Sequence, residues 1–289
     1  MSREVPGYLG PYRLLNLVHT GRVYQIWQAR DDAYNRMVAL KVVLDPFRHD
    51  REHAGYLRTE LLVGQSVVHP HVISIHGYDA NEGKPYLVME WFSAPNMKKR
   101  IQQGVDRLAP LAAKIIQQAA EALISVHWAG WVHRDVKPDN FLVADDGTVK
   151  LIDFALAIRR KPGLVRRWAG WFARRSKVQG TRNYMAPEQI RGEHVDDRTD
   201  LYGLACTTYE LLAGRPPFSG TDPNEVLTKH LRSAAPSLES VSPSVTPELS
   251  QLVRRSMAKD PEQRPESVAD FLRQFRTIRH FKAARPADL

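Results

Sequence analysis

Residues 133 to 153 read H-R-D-V-K-P-D-N-F-L-V-A-D-D-G-T-V-K-L-I-D. Asp135 is followed five residues later by Asn140, and Asp153 lies thirteen beyond that. Two acids and an amide offer oxygen ligands of the kind that a nucleotide's metal ions take. They also offer a carboxylate to orient an attacking hydroxyl. Phosphoryl transfer asks little covalent chemistry of a protein; it asks for positioning and charge neutralisation. Lys41, closing the run V-A-L-K, and Glu60, nineteen residues on, add a basic and an acidic group upstream.

The elements that must hold these residues change character along the chain. Tyr12–Val18 and Tyr24–Arg30 flank a turn at Thr20-Gly21, as a hairpin would. Met37–Val43 reads as a third strand, and Val72–Tyr78 and Pro85–Trp91 as two more. His49–Val67 reads as a helix, with Leu57, Leu61 and Gly64 at helical spacing and Asp50 as its N-cap. After Ser93 helices dominate. Leu108–Ala129 is a long run ended by Gly130. Asp200–Ala213 is apolar nearly all round, hence buried, with Gly214 as its stop. Leu227–Leu231, Pro247–Ala258 and Ser267–Ile278 follow, and Ala283–Leu289 reads as a frayed tail.

The chain of 289 residues, 43% hydrophobic and 25% charged, has the composition of a soluble globular protein. Its single cysteine, Cys206, forms no internal disulfide and sits in an apolar run, which predicts a buried thiol. The N-terminal residues lack an apolar signal region, and no stretch approaches the length of a membrane span, so the expected location is cytoplasmic. The net charge is +9, but nine basic residues and no acid lie between Phe154 and Pro187. The 32 acids match the remaining basic residues, so the excess belongs to one segment. A whole-chain reading as a nucleic-acid binder therefore fails.

The order of these motifs resembles the eukaryotic-type protein kinase family, and its bacterial Ser/Thr group in particular. The family signature is H-R-D-L-x-x-x-N followed by D-F-G; here Val136 replaces Leu and the chain reads D-F-A. G-P-Y-R-L-L, Y-L-V-M-E-W, Y-M-A-P-E-Q and D-L-Y-G-L-A-C-T-T-Y-E-L-L-A-G-R-P-P-F also resemble that group, and the likeness covers roughly residues 8 to 280. It implies an α+β, two-lobed protein kinase fold: a small antiparallel β lobe with one helix at about residues 8–92, and a larger, mainly helical lobe at about 93–282.

The resemblance also implies roles. Lys41 would hold the α/β-phosphates of ATP, with Glu60 as its partner. Asp135 would take or orient the proton of the substrate hydroxyl, and Lys137 would neutralise the transferred group; a lysine at that position is the Ser/Thr-kinase pattern. Asn140 and Asp153 would coordinate Mg2+. Leu17, Ile26, Ala39 and Leu142 would sandwich the adenine, Met89 would be the gatekeeper, and Glu90 and Phe92 would offer backbone groups to the ring. Glu188 would pair with Arg264, Asp200 would tie a buried helix to the catalytic loop, and His133 would support that loop. The implied partner is a protein with a Ser or Thr acceptor.

The departures are local. In the pattern G-x-G-x-x-G-x-V, His19, Gly21 and Tyr24 occupy the glycine positions, so only the central glycine survives. Glycine admits positive φ and close backbone approach; His19 and Tyr24 should stiffen the hairpin and alter nucleotide affinity. Ala155 keeps the carboxylate before it but restricts backbone rotation, either as tolerated drift or as a bias toward one state or a pseudokinase. Arg134 could pair with a phosphorylated Ser176, and Thr181 would contact Asp135 and Lys137. Within Gly163–Lys177 of the basic stretch 159–177, Leu164, Trp168, Trp171 and Phe172 recur at helical spacings with arginines between, resembling a basic amphipathic helix. That segment reads as a solvated loop packed on the large lobe, or as a docking element for an acidic partner or an anionic membrane surface. The leading expectation is a Ser/Thr kinase; a pseudokinase scaffold and a small-molecule kinase are the alternatives.

Overall fold

Alternating residues build a six-stranded antiparallel sheet. Its strands are β1 (Tyr8–Leu9), β2 (Tyr12–Thr20), β3 (Tyr24–Asp31), β4 (Arg36–Val43), β5 (Ile75–Asn81) and β6 (Lys84–Glu90), in the order β1-β2-β3-β4-β6-β5. The computed structural model describes residues 7–160 and 181–282. On β4, Val38, Leu40 and Val42 join Leu9, Leu14, Ala29, Tyr86 and Val88 in one buried cluster. The strand period of two sends Ala39, Lys41 and Val43 to the opposite face. The helix α1 (Arg51–Ser66) starts where Asp50 accepts a hydrogen bond from the Glu52 amide. It buries Leu57, Glu60 and Val63, so a carboxylate stands within its apolar stripe. The strand expected at Val72–Tyr78 begins only at Ile75. A turn precedes it, in which the Val72 amide donates to the His69 carbonyl and the His71 amide to His69 Nδ1. This sheet and α1 belong to one unit, Met1–Ser93 with Ile152–Ala157.

The second unit, Ala94–Leu151 with Ile158–Leu289, is mainly helical. Its helices are α2 (Met97–Gln102), α3 (Ala112–Trp128), α4 (Pro187–Arg191), α5 (Asp197–Ala213), α6 (Pro223–Arg232), α7 (Leu238–Val241), α8 (Pro247–Ser256) and α9 (Val268–Thr277). Two short ladders accompany them: β7 (Trp131–Val132) with β10 (Ile158–Arg159), and β8 (Phe141–Val143) with β9 (Val149–Leu151). The α3 helix starts later than expected from Leu108, because Ala109–Leu111, with Pro110, forms a separate 3-10 turn. The α5 helix starts earlier than Asp200, since Asp196 caps it through the Arg198 amide. Likewise α6 extends beyond Leu227–Leu231, capped by Asp222 with Pro223 next to it. As expected, α5 is buried all round, Cys206 is a buried free thiol on it, and Gly214 ends it at a φ of 73°. Among the described residues, no helix is long and apolar enough to cross a membrane. The antiparallel sheet with one helix and the helical unit are the two components that the kinase resemblance implies.

Candidate active site

In the first unit, β4 presents Lys41 on the face away from the sheet's apolar cluster, two residues beyond Ala39. The Lys41 ammonium donates to Glu60 Oε1 at 2.5 Å and to Asp153 Oδ1 at 3.0 Å. The lysine is 7% exposed and Glu60 1%. Burial opposes the lysine's charge, but the Asp153 and Glu60 carboxylates outweigh it and hold the pKa above the ordinary lysine range. Lys41 is therefore a fixed cation. Asp153 adopts a φ of 66° and keeps its side chain 36% exposed. Phe154, fully buried, anchors the segment, and its carbonyl accepts from the Ala157 amide at 3.0 Å. Ala155 is buried and takes no positive φ, so alanine fits this backbone without strain.

The β2–β3 turn expected at Thr20-Gly21 is present. Gly21 does not adopt a positive φ; its amide donates to the Tyr24 carbonyl at 2.8 Å and closes a tight turn. Ile26 pairs with Lys41 across β3 and β4, and Leu17 pairs with Trp27. Leu17 is 36% exposed, Ile26 is half-buried and Ala39 is buried. Glu90 ends β6 with its amide donating to the Ser74 carbonyl at 2.8 Å, and Phe92 follows it, half-buried.

In the second unit, the loop between β7 and β8 is tied down from below. Asp200, 1% exposed, accepts from the His133 and Arg134 amides at 2.7 Å each, and His127 Nε2 lies 2.8 Å from it. Desolvation opposes the Asp200 charge, yet the hydrogen bond and charge of His127, then His133 and the Arg134 amide, hold its pKa below the usual carboxylate value. Above this clamp, Asp135 Oδ2 accepts from Lys137 Nζ at 2.7 Å and from Asn140 Nδ2 at 3.1 Å. Asn140 Nδ2 also donates to the Asp135 carbonyl at 2.7 Å. His133 is fully buried and its Nδ1 accepts from the Asp135 amide, the supporting position expected of it. Leu142, half-buried on β8, bridges to Asn96.

A magnesium ion takes oxygen ligands, chiefly carboxylates with waters. Asp153 offers an accessible carboxylate. The Asn140 amide nitrogen is spent on Asp135, which leaves Oδ1 as its acceptor. Each, taken by itself, offers an oxygen of the kind such an ion takes.

Glu188 and Arg264 form a buried bidentate pair, with both contacts at 2.8 Å. Arg264 also donates to the Arg198 and Ala258 carbonyls, and the Thr199 hydroxyl donates to Glu188. Two supports were not evident beforehand. Gln189 Nε2 donates to the Arg134 carbonyl at 2.9 Å, and His127 reaches Asp200 from α3. The glutamine's place directly after A-P-E was the available signal for the first; nothing in the α3 sequence distinguished His127.

Of the basic segment, Arg159 lies over the Trp131 ring at 4.3 Å and Arg160 pairs with Asp197 at 3.1 Å. Residues 161–180, with Ser176 and the tryptophans, lie outside the described residues, as do residues 283–289 and the Thr181 side chain.

The family model described as "Protein kinase domain" matches residues 12–275. The chain is 32% identical over 275 residues to the serine/threonine-protein kinase PknD of Mycobacterium tuberculosis, covering 93% of this chain and 40% of that protein. It is 32% identical over 269 residues to PknE of Mycobacterium bovis, covering 93% and 46%. Against a probable serine/threonine-protein kinase of Streptomyces coelicolor the identity is 32% over 264 residues, covering 90% and 38%. The chain thus spans less than half the length of these relatives.

Proposed function

The chain belongs to the protein kinase family, and on that premise we propose that it transfers the γ-phosphoryl group of ATP to a serine or threonine hydroxyl of a protein. The observation that supports this reading is the Asp135–Lys137–Asn140 cluster, on a loop that Asp200 holds from beneath. In the proposed reaction the substrate hydroxyl oxygen forms a bond to the γ-phosphorus and its proton passes to the Asp135 carboxylate. The bond from the γ-phosphorus to the bridging oxygen breaks, and ADP carries away that electron pair. Lys137, 2.7 Å from Asp135, supplies positive charge beside the transferred group, and Lys41, held by Glu60, supplies it to the other phosphates. Asn140 and Asp153 would hold Mg2+, which when bound neutralises phosphate oxygens. Leu17, Gly21, Ile26, Ala39, Glu90, Phe92 and Leu142 are the proposed contacts of the nucleotide.

The lysine two residues after Asp135 and the names carried by the relatives both support a Ser/Thr acceptor. For the basic stretch 159–177, docking to an acidic partner or an anionic membrane surface is testable by flotation with anionic vesicles. The decisive assay incubates the full chain with labelled ATP, Mg2+ and a generic protein substrate, beside Asp135→Asn. Removing the base should cut transfer by roughly 10²–10⁴-fold while ATP still binds. Equal transfer by both proteins would refute the assignment, and ATP binding without transfer by either would establish a pseudokinase scaffold.

A further inference from the structure

Tyr24 opens β3 at the place where the family pattern has its third glycine. The β3–β4 register pairs Tyr24 with Val43 and Ile26 with Lys41, so Tyr24 and Lys41 share one face of the sheet. The Tyr24 ring centroid lies 4.9 Å from the Lys41 ammonium, within cation–π range. Its hydroxyl donates to the His53 carbonyl in the first turn of α1 at 3.1 Å, and its ring meets the His53 ring edge-on at 6.1 Å. The tyrosine thus reaches from the turn to α1 and passes over the lysine on the way.

A lysine ammonium carries three N–H donors. Around Lys41 stand Glu60 at 2.5 Å, Asp153 at 3.0 Å and the Tyr24 ring face. An anion that approaches this ammonium must displace or crowd one of them. Moving Glu60, 1% exposed, strands a buried charge, which is the costliest option. Tyr24 is neutral and only half-buried, so it is the group that yields most cheaply.

We propose that Tyr24 is a displaceable aromatic cap on Lys41, which nucleotide phosphates must push aside to reach the ammonium. This deepens the kinase reading and rests on it. The cap holds Lys41 against Glu60 before nucleotide arrives and lowers affinity for phosphate-bearing nucleotides. Adenosine, which carries no phosphate, is indifferent to it.

The test titrates the full chain calorimetrically with ATP, ADP and adenosine in the presence of Mg2+, for wild type, Tyr24→Ala and Tyr24→Phe. Tyr24→Ala should bind ATP and ADP about tenfold more tightly, the scale of one lost cation–π contact, with adenosine unchanged. Tyr24→Phe keeps the ring but loses the His53 anchor, and should fall between the two. In steady state Tyr24→Ala should lower the KM for ATP and leave kcat in place. ATP affinity equal to or weaker than wild type in Tyr24→Ala overturns the cap, as does an equal gain for adenosine. Binding of ATP to neither wild type nor Tyr24→Ala overturns the kinase reading itself, and the cap with it.

Discussion

Glu188 and Arg264 are buried as a charged pair with their partners in place. Arg264 spends its guanidinium on both Glu188 oxygens and on the carbonyls of Arg198 and Ala258, with no solvent needed. Such a pair contributes little net stability over well-packed apolar residues, because desolvation offsets attraction. Its dependence on both members is nonetheless steep. Glu188→Ala leaves a buried arginine facing only carbonyls and should lower the unfolding free energy by about 3–5 kcal/mol. Arg264→Met should cost a similar amount, and the double variant should cost clearly less than the sum of the two. Urea denaturation of the four proteins measures the coupling; additive losses would show that the two side chains act independently.

The elements decide how far these contacts reach the chemistry. The α5 helix is buried all round, carries Asp200 as the clamp of the loop and lays Gly203 against that loop's backbone. A Cβ at Gly203 would stand 2.8 Å from the Val136 carbonyl oxygen and 2.9 Å from Val136 Cβ, and backbone cannot yield as a long side chain can. Gly203→Ala should therefore push the loop that bears Asp135, costing about 1–3 kcal/mol of stability, the usual range for overpacking. It should also lower kcat more than it changes ATP affinity, and phosphotransfer kinetics beside ATP titration would read that split. Unaltered kcat would mean that α5 braces the loop only through Asp200. This element was legible beforehand because its apolar residues are continuous and its stop is a glycine. The Lys41–Glu60 pair was expected from the resemblance to the kinase pattern, which joins the lysine of V-A-L-K to a helix glutamate, and not from periodicity. What stayed hidden was tertiary or short: α2 spans only Met97–Gln102, the α5 start depends on the Asp196 cap, and the Tyr24 ring over Lys41 arises only when β3, β4 and α1 are brought together.

At the scale of the molecule, the pH dependence of stability includes buried groups that bind protons differently in the folded and unfolded chain. His230 is fully buried on α6, with Nδ1 2.8 Å from the Tyr202 hydroxyl and its ring edge-on to Phe218 at 4.8 Å. Burial first, and then the charge of Lys259, push its pKa down to about 3 from the ordinary 6.5. Neutral His230 is the folded form; the unfolded chain takes up a proton on it as pH falls through 6.5. The stability it lends is thus fully present above pH 6.5 and is lost progressively as pH falls toward 3. At about 1.4 kcal/mol per pH unit, the loss by pH 4.5 should reach roughly 2–3 kcal/mol. His230→Gln keeps a polar side chain but removes the titration, so its unfolding free energy, even if lower at pH 7, should fall less between pH 7 and 4.5. Urea denaturation at both pH values compares the two slopes. Equal slopes for wild type and His230→Gln would assign the acid sensitivity to carboxylates such as Asp200, whose depressed pKa works in the same direction but at lower pH.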